Sequence, residues 1–427
     1  MHTTLLIHMC LMPLLERGIV MVHNYLKSVG LLHTADMLVS EMGWVDIPKY
    51  ETGAIASLSD ILPGQPADNL SSSSEQQHEQ SNNEIYESKE MIASTIVEGR
   101  VYLCLAVGSL KNNHEVSVIF AGSVDKHIYC HDMTGQILSS FKVHDGPVLS
   151  LAVHPMEPNI LLTSSMDKSH CIVDISCDDG NGIQPVVIHR MMDHSKYVVQ
   201  VGWSSCGRFF GSASYDHSFN LYSFDRADAA AVKLIKSYKF HANVESFVFD
   251  ANGYVIVAVR EDNYLHFIDL NNSHHCEKRN MNANGDNWVS FSAMHVSLSP
   301  RNNGDLMVST DTNKLLLFST NSGYNGNNVN NGGILKLVHT FYDIPNDPLT
   351  SQPKHVWHPN GSFVYCTSDD SNYSILAIKV DSSFSDSRAA LKGHSAAVRN
   401  LAYDSKNDTL ISCSFDKTLC LWSKINQ

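Results

Sequence analysis

The sequence has no stretch of roughly 18 uninterrupted apolar residues, the length a membrane helix needs, and no run of lysines and arginines. The first absence argues against a membrane-spanning helix. The second, with 30 Lys+Arg against 44 Asp+Glu and a net charge of −14, disfavours direct contact with nucleic acid or an anionic membrane, because such a field repels phosphate. Cysteine is sparse: ten residues lie apart along the chain without a Cys-x-x-Cys pair. That spacing suggests neither a zinc site nor a disulfide framework, and it fits free thiols in a reducing compartment. His274-His275-Cys276 is the densest ligand-like group, but adjacent residues do not converge well on one ion, so neither metal nor cofactor is expected. No phosphate loop, paired-carboxylate motif or dinucleotide turn stands at an interpretable position. The opening MHTTLLIHMCLMPLL is apolar but lacks a basic n-region and a small-x-small cleavage site. A cytoplasmic and/or nuclear protein is therefore expected rather than a secreted one.

What is present is length: 427 residues, 43% of them hydrophobic, too many for one core and enough for several domains or a closed repeat. Three zones can be read. In the first, apolar residues at Ile19, Val22, Leu26 and Val29, then Leu31, Ala35, Leu38 and Met42, follow helical spacing on either side of Gly30. Two helices of about three turns are too short to be stable alone in water and need a partner surface. The second zone, 49–88, contains PGQPADNLSSSSEQQHEQSNNE and reads as a disordered Ser/Gln/Asn-rich linker. The third, 89–427, reads as many short strands.

The segment VHNYLKSVGLLHTADMLVSEMG resembles the LisH motif at Tyr25, Leu26, Gly30, Thr34, Ala35, Leu38 and Glu41. The resemblance implies a helical dimerisation motif over 15–45, with Ile19, Val22, Leu26, Ala35 and Leu38 in the interface of a homodimer.

The third zone repeats itself. HDGPVLSLAVHPMEPNILLTSSMDKSHCIVDI, HSKYVVQVGWSSCGRFFGSASYDHSFNLYS and HSAAVRNLAYDSKNDTLISCSFDKTLCLWS each open on His, alternate through two strands, turn at an Asp and run into a third strand. The Asp recurs at 125, 167, 216, 262, 311, 370 and 416, close to the period of roughly 40–45 residues of a four-stranded propeller blade. These units resemble the WD-repeat family. The last is the most faithful, with His394, Ser412, Asp416 and Trp422, and an earlier one keeps His194, Ser212 and Asp216 with Tyr222 for the Trp. The fold class implied is all-β, a seven-bladed WD-type β-propeller preceded by the helical motif. The chain runs out of strands at the end of its last unit, so Met91–Val97 is expected to supply the missing outer strand and close the ring.

His394, Ser412 and Asp416 could pass for a nucleophilic triad, but the trio recurs at His194, Ser212 and Asp216, and a catalytic site has no reason to be copied per blade. A hydrogen-bonded staple does, so the chain is expected not to be an enzyme. On a propeller, the residue before the Asp sits on the rim of one face; here those residues are Val124, Met166, Tyr215, Glu261 and Phe415, with Tyr197 beside Tyr215. Four of the five are apolar or aromatic, an unusual choice for exposed turns. They suggest that peptide segments of partner proteins bind there. The expected function is a non-enzymatic scaffold or adaptor. The alternatives are a substrate-receptor or corepressor subunit of a larger ubiquitin-ligase or chromatin complex, or an enzyme with a non-repeating polar site in the channel.

Overall fold

In HSKYVVQVGWSSCGRFFGSASYDHSFNLYS, the β-branched and aromatic residues form three strands, Val198–Trp203, Phe209–Ser214 and Ser218–Phe224. Each runs antiparallel to the next, and Val232–Lys239 adds a fourth at the outer edge. This four-stranded sheet occurs seven times. The computed structural model describes residues 90–96, 100–110, 113–178, 182–225, 232–271, 275–301, 304–320, 335–346, 352–380 and 388–423. The helix pair expected at 15–45, with Ile19, Val22, Leu26, Ala35 and Leu38, lies outside the described residues, as does the linker at 49–88.

Blades one to six span 102–142, 148–191, 198–239, 244–280, 293–341 and 355–391. Blade seven joins three strands within 398–423 to Glu90–Ile96, which pairs antiparallel with Thr418–Ser423, Glu90 opposite Ser423 and Ile96 opposite Thr418. The ring therefore closes through the segment the sequence nominates, and the last sheet gains the fourth strand that covers its edge.

The core lies between blades rather than at the centre of the ring. Blades one and two share Phe120, Phe141, Leu161 and Val173; two and three share Leu162, Ile172, Phe210 and Tyr222. Successive pairs continue in the same way. Tyr102, Ile119, Ile411 and Leu419 pack blade one against blade seven. Each sheet thus buries both faces, which explains the near-continuous burial of second strands such as Ile160–Ser165 and Thr409–Ser414.

Candidate functional site

The site begins with the Asp turn. Lys126, Lys168, His217 and Lys417, each one residue after the repeat's Asp, have φ between 67° and 77°, a left-handed conformation unfavourable for side chains of their kind. The preceding carboxylate compensates: Asp125, Asp167, Asp216 and Asp416 each accept the backbone N–H two residues on, at 2.8–3.1 Å. The other oxygen of Asp216 accepts the Ser195 N–H at 2.8 Å and meets His194 Nδ1 at 3.1 Å, while His194 Nε2 lies 2.8 Å from Ser212 Oγ. The set at His394, Asp416 and Ser412 has distances of 2.9 and 2.7 Å, and Trp422 Nε1–H donates to Ser412 Oγ at 2.9 Å. Burial pushes the Asp216 carboxyl up, but the Ser218 hydroxyl, the Ser195 N–H and His194 outweigh it and hold the group down at about 2. His194 goes down as well, because burial outweighs the pull of Asp216, and a neutral imidazole fits both contacts.

These turns fix one face. In four blades the residue before the Asp donates its N–H to the start of the first strand: Val124 to Val101, Met166 to Pro147, Tyr215 to Tyr197 and Phe415 to Ala397. Val124, Met166, Tyr197 and Phe415 are exposed. Tyr215 is only half-buried: its hydroxyl donates to Glu245 Oε2 at 3.1 Å and accepts from Gln352 Nε2 at 3.1 Å, so it joins blades three, four and six across the channel mouth. In blade four the rim position belongs to Arg260, not Glu261. Arg260 N–H bonds Asn243, and Glu261, one residue later, takes the left-handed conformation at φ 56°. Blade five puts Asp311 itself in the rim position, bonded to Ser292. Blade six widens its turn, with Asp370 accepting from both Asn372 and Ser374.

Sequence reasoning missed Trp288. It lies in the loop from blade four to blade five, on the same face, and is 79% exposed. The loop is held rigidly: Asn282 donates to Asp286 Oδ1 at 2.7 Å and to the Trp288 carbonyl at 2.7 Å, and Asn280 donates to the Asp286 carbonyl at 2.6 Å. Tyr342, in the loop from blade five to six, is exposed on this face too.

At the channel mouth, the register of the innermost strand slips by one residue in six blades, at Leu103, Leu149, Val199, Glu245, Met294 and Arg399. A β-bulge of this kind re-aims the extra side chain. Leu103, Leu149, Val199 and Arg399, joined by Lys354 just before the inner strand of blade six, line a cavity of about 210 Å³. Glu245 is taken up by Arg260, whose Nε donates to it at 2.6 Å. Lys354 and Arg399 have no such partner: neither forms an ion pair among the described residues, and Arg399 Nε is buried without an acceptor. The guanidinium lies over the Phe415 ring, 4.7 Å from its centroid. Burial, reinforced by Arg399, pushes Lys354 down to about 8 against the pull of Glu245, so it stays charged at neutral pH. Deeper in the cavity, His355 contacts the hydroxyls of Ser309 and Ser297 at 2.6 and 2.7 Å and, held down to about 3 by burial and then by Lys354, is neutral. The channel therefore does hold a non-repeating polar cluster, and it is cationic.

The description "WD domain, G-beta repeat" matches residues 135–174, 186–223 and 385–423, which fall in blades one to three, the outer strand of blade six and blade seven. Among curated proteins, the "Probable cytosolic iron-sulfur protein assembly protein Ciao1" of Culex quinquefasciatus is 35% identical over 80 residues, 19% of this chain and 22% of that protein. The "Small ribosomal subunit protein RACK1" of Schizosaccharomyces pombe is 33% identical over 85 residues, 20% of this chain and 26% of that protein. The matched stretch spans about a quarter of the length of each relative. The chain carries WD repeats closed into a seven-bladed β-propeller. The degenerate blades four to six keep the sheet and its core while losing the motif.

Proposed function

We propose that this protein is a non-catalytic scaffold that captures segments of partner proteins on the Asp-turn face of its propeller. One observation carries the reading: the four exposed aromatic side chains among the described residues, Tyr197, Trp288, Tyr342 and Phe415, all belong to loops or turns of that face. Met166, Met192 and Val124 are also exposed on that face. Exposed aromatics are uncommon on a monomer's surface, and aromatic anchors dominate binding energy at interfaces. Trp288 suits the role because its loop is already ordered, so little entropy is lost when a partner binds. Tyr215, half-buried between Glu245 and Gln352, would form part of the floor.

The finer reading adds a homodimer through 15–45 and a location in the cytoplasm and/or nucleus. The two partial relatives are named for iron–sulfur protein assembly and for a ribosomal subunit, settings in which proteins work in company. A receptor subunit of a ubiquitin ligase or a corepressor complex is the alternative within this class. An enzyme in the channel is disfavoured by the state of its groups: Glu245 is spent on Arg260 and Tyr215, and His355 is already engaged by two serines.

The test is affinity capture from the native host with the full chain and its Trp288→Ala and Phe415→Ala variants, read by mass spectrometry. The expected result is loss of a shared set of partners at an unchanged melting temperature, each substitution costing about 2 kcal/mol or more of affinity. Partners retained in full by both variants would overturn the reading.

A further inference from the structure

The residues that line the channel-mouth cavity are divided by chemistry. Blades one to three turn Leu103, Leu149 and Val199 into the channel mouth; blades six and seven turn Lys354 and Arg399 into the same cavity. Buried cations are ordinarily paired, because taking a charge out of water costs several kcal/mol unless an opposite charge offsets it. The neighbouring pair follows that rule: Glu245 is neutralised by Arg260 at 2.6 Å. Lys354 and Arg399 depart from it: both are half-buried at the cavity, Arg399 Nε is itself buried, and neither has a carboxylate partner among the described residues, in a chain whose net charge is −14. Arg399 is also positioned from the rim, its guanidinium over Phe415, one of the exposed aromatics of the capture face. A ligand that suits this mouth combines an anionic group with apolar flanks.

We propose that the captured segment is acidic: an Asp or Glu side chain of the partner enters the channel mouth between Lys354 and Arg399, with its apolar neighbours against Leu149, Val199 and Phe415. The proposal rests on the reading that this face captures partner segments, and it names their chemistry. The carboxylate accepts charge-assisted hydrogen bonds from the ammonium and the guanidinium, contacts that gain strength where water is excluded. Asp311 occupies the rim in blade five and repels a second acid there, so one acidic residue is read at the channel while apolar residues are read around it.

The experiment selects random dodecapeptides displayed on phage against the immobilised full-length protein, then measures the synthetic peptides by calorimetry. The variants are Lys354→Leu and Arg399→Leu, which repeat the Leu that the ring already accommodates at 103 and 149. The expected result is that selected peptides carry Asp or Glu flanked by apolar residues. Changing that acid to its amide should weaken binding at least tenfold in the wild type, and much less in the Lys354→Leu/Arg399→Leu double variant. Peptides that depend on Trp288 and Phe415 but are indifferent to the acid and to both cations would overturn this inference while leaving the capture face standing. Selected peptides indifferent to Trp288 and Phe415 as well, or none selected at all, would overturn both. If inorganic phosphate stabilises the wild type and not the double variant while no acidic peptide is selected, the pair is a free-anion site and the peptide proposal falls.

Discussion

Asp216 makes three contacts that no other residue of its turn can make, accepting from Ser218 and Ser195 and meeting His194, and so offsets the left-handed φ of His217. Asp216→Ala strips acceptors from buried donors and is expected to cost about 1–3 kcal/mol, lowering the melting temperature by several degrees. Asp216→Asn, which keeps one acceptor oxygen, should cost less; thermal unfolding followed by circular dichroism ranks the three proteins. The trio of His194, Ser212 and Asp216 is legible in the sequence because its separations, 18 and 22 residues, recur at His394, Ser412 and Asp416. Arg399 is legible in the same manner. It stands five residues after His394, as Val199 does after His194 and Leu149 after His144, so comparing units at that offset exposes a charge where its counterparts are apolar. Trp288 left no such trace, since its loop has no counterpart in other units, and its rigidity comes from asparagine contacts that follow no repeat. Glu261 departs from the repeat for a related reason: blade four inserts its left-handed residue before the Asp, shifting the rim position by one to Arg260.

Among elements, Glu90–Ile96 bears the most on integrity. It supplies one of the four strands of blade seven and covers an edge that Thr418–Ser423 would otherwise present to neighbouring molecules. Deleting 90–96 should leave a protein that expresses but aggregates, with a lower unfolding midpoint; size-exclusion chromatography and light scattering give the measurement, and a monodisperse, equally stable product would refute the role. The closing strand can be found in the sequence by counting, because the final unit stops one strand short. Blades five and six were harder to place. Their turns depart from the pattern: Asp311 occupies the rim itself, and Asp370 opens a wider turn that ends in Tyr373 at φ 49°. What keeps them as blades is burial on both faces, visible in strands such as Leu315–Ser319 and Ile375–Lys379, rather than any motif.

For the molecule as a whole, acid is the natural stress. His170, His194, His295, His355 and His394 are held below the usual imidazole range, chiefly by burial, so unfolded chains take up protons below about pH 6.5 that the folded protein refuses. Asp125, Asp167, Asp216 and Asp416 are held below the usual carboxylate range, and what they contribute is lost as pH falls from about 4 through their folded values. Both shifts have the same sign: stability should be level near neutrality, decline from about pH 6.5, and decline again below about 4. Urea midpoints at pH 7.5, 5.5 and 3.5 test this, and an unchanged midpoint between the first two would contradict it. At the same scale, the proposed dimer predicts that Leu26→Asp converts the full chain to a monomer in sedimentation, while residues 89–427 alone are monomeric. A dimer that survives Leu26→Asp would remove the helix pair from the assembly. Two propellers on one dimer would bind clustered acidic segments with a gain set by effective concentration, not by new contacts.

The antiparallel partnership of Glu90 with Ser423 also sets a timetable. A ribosome makes Glu90–Ile96 before any other strand of the propeller and Thr418–Ser423 after all the rest, so the two ends of blade seven are separated by the synthesis of more than three hundred residues. At about 5–20 residues per second, the early strand waits on the order of half a minute, unpaired, for its mate. Blades one to six can assemble as they emerge, each against the one before, but the ring cannot lock until Thr418–Ser423 has been made. Nascent chains are therefore most exposed to misassociation, and most in need of chaperones, through an interval whose length is set by gene order and elongation rate.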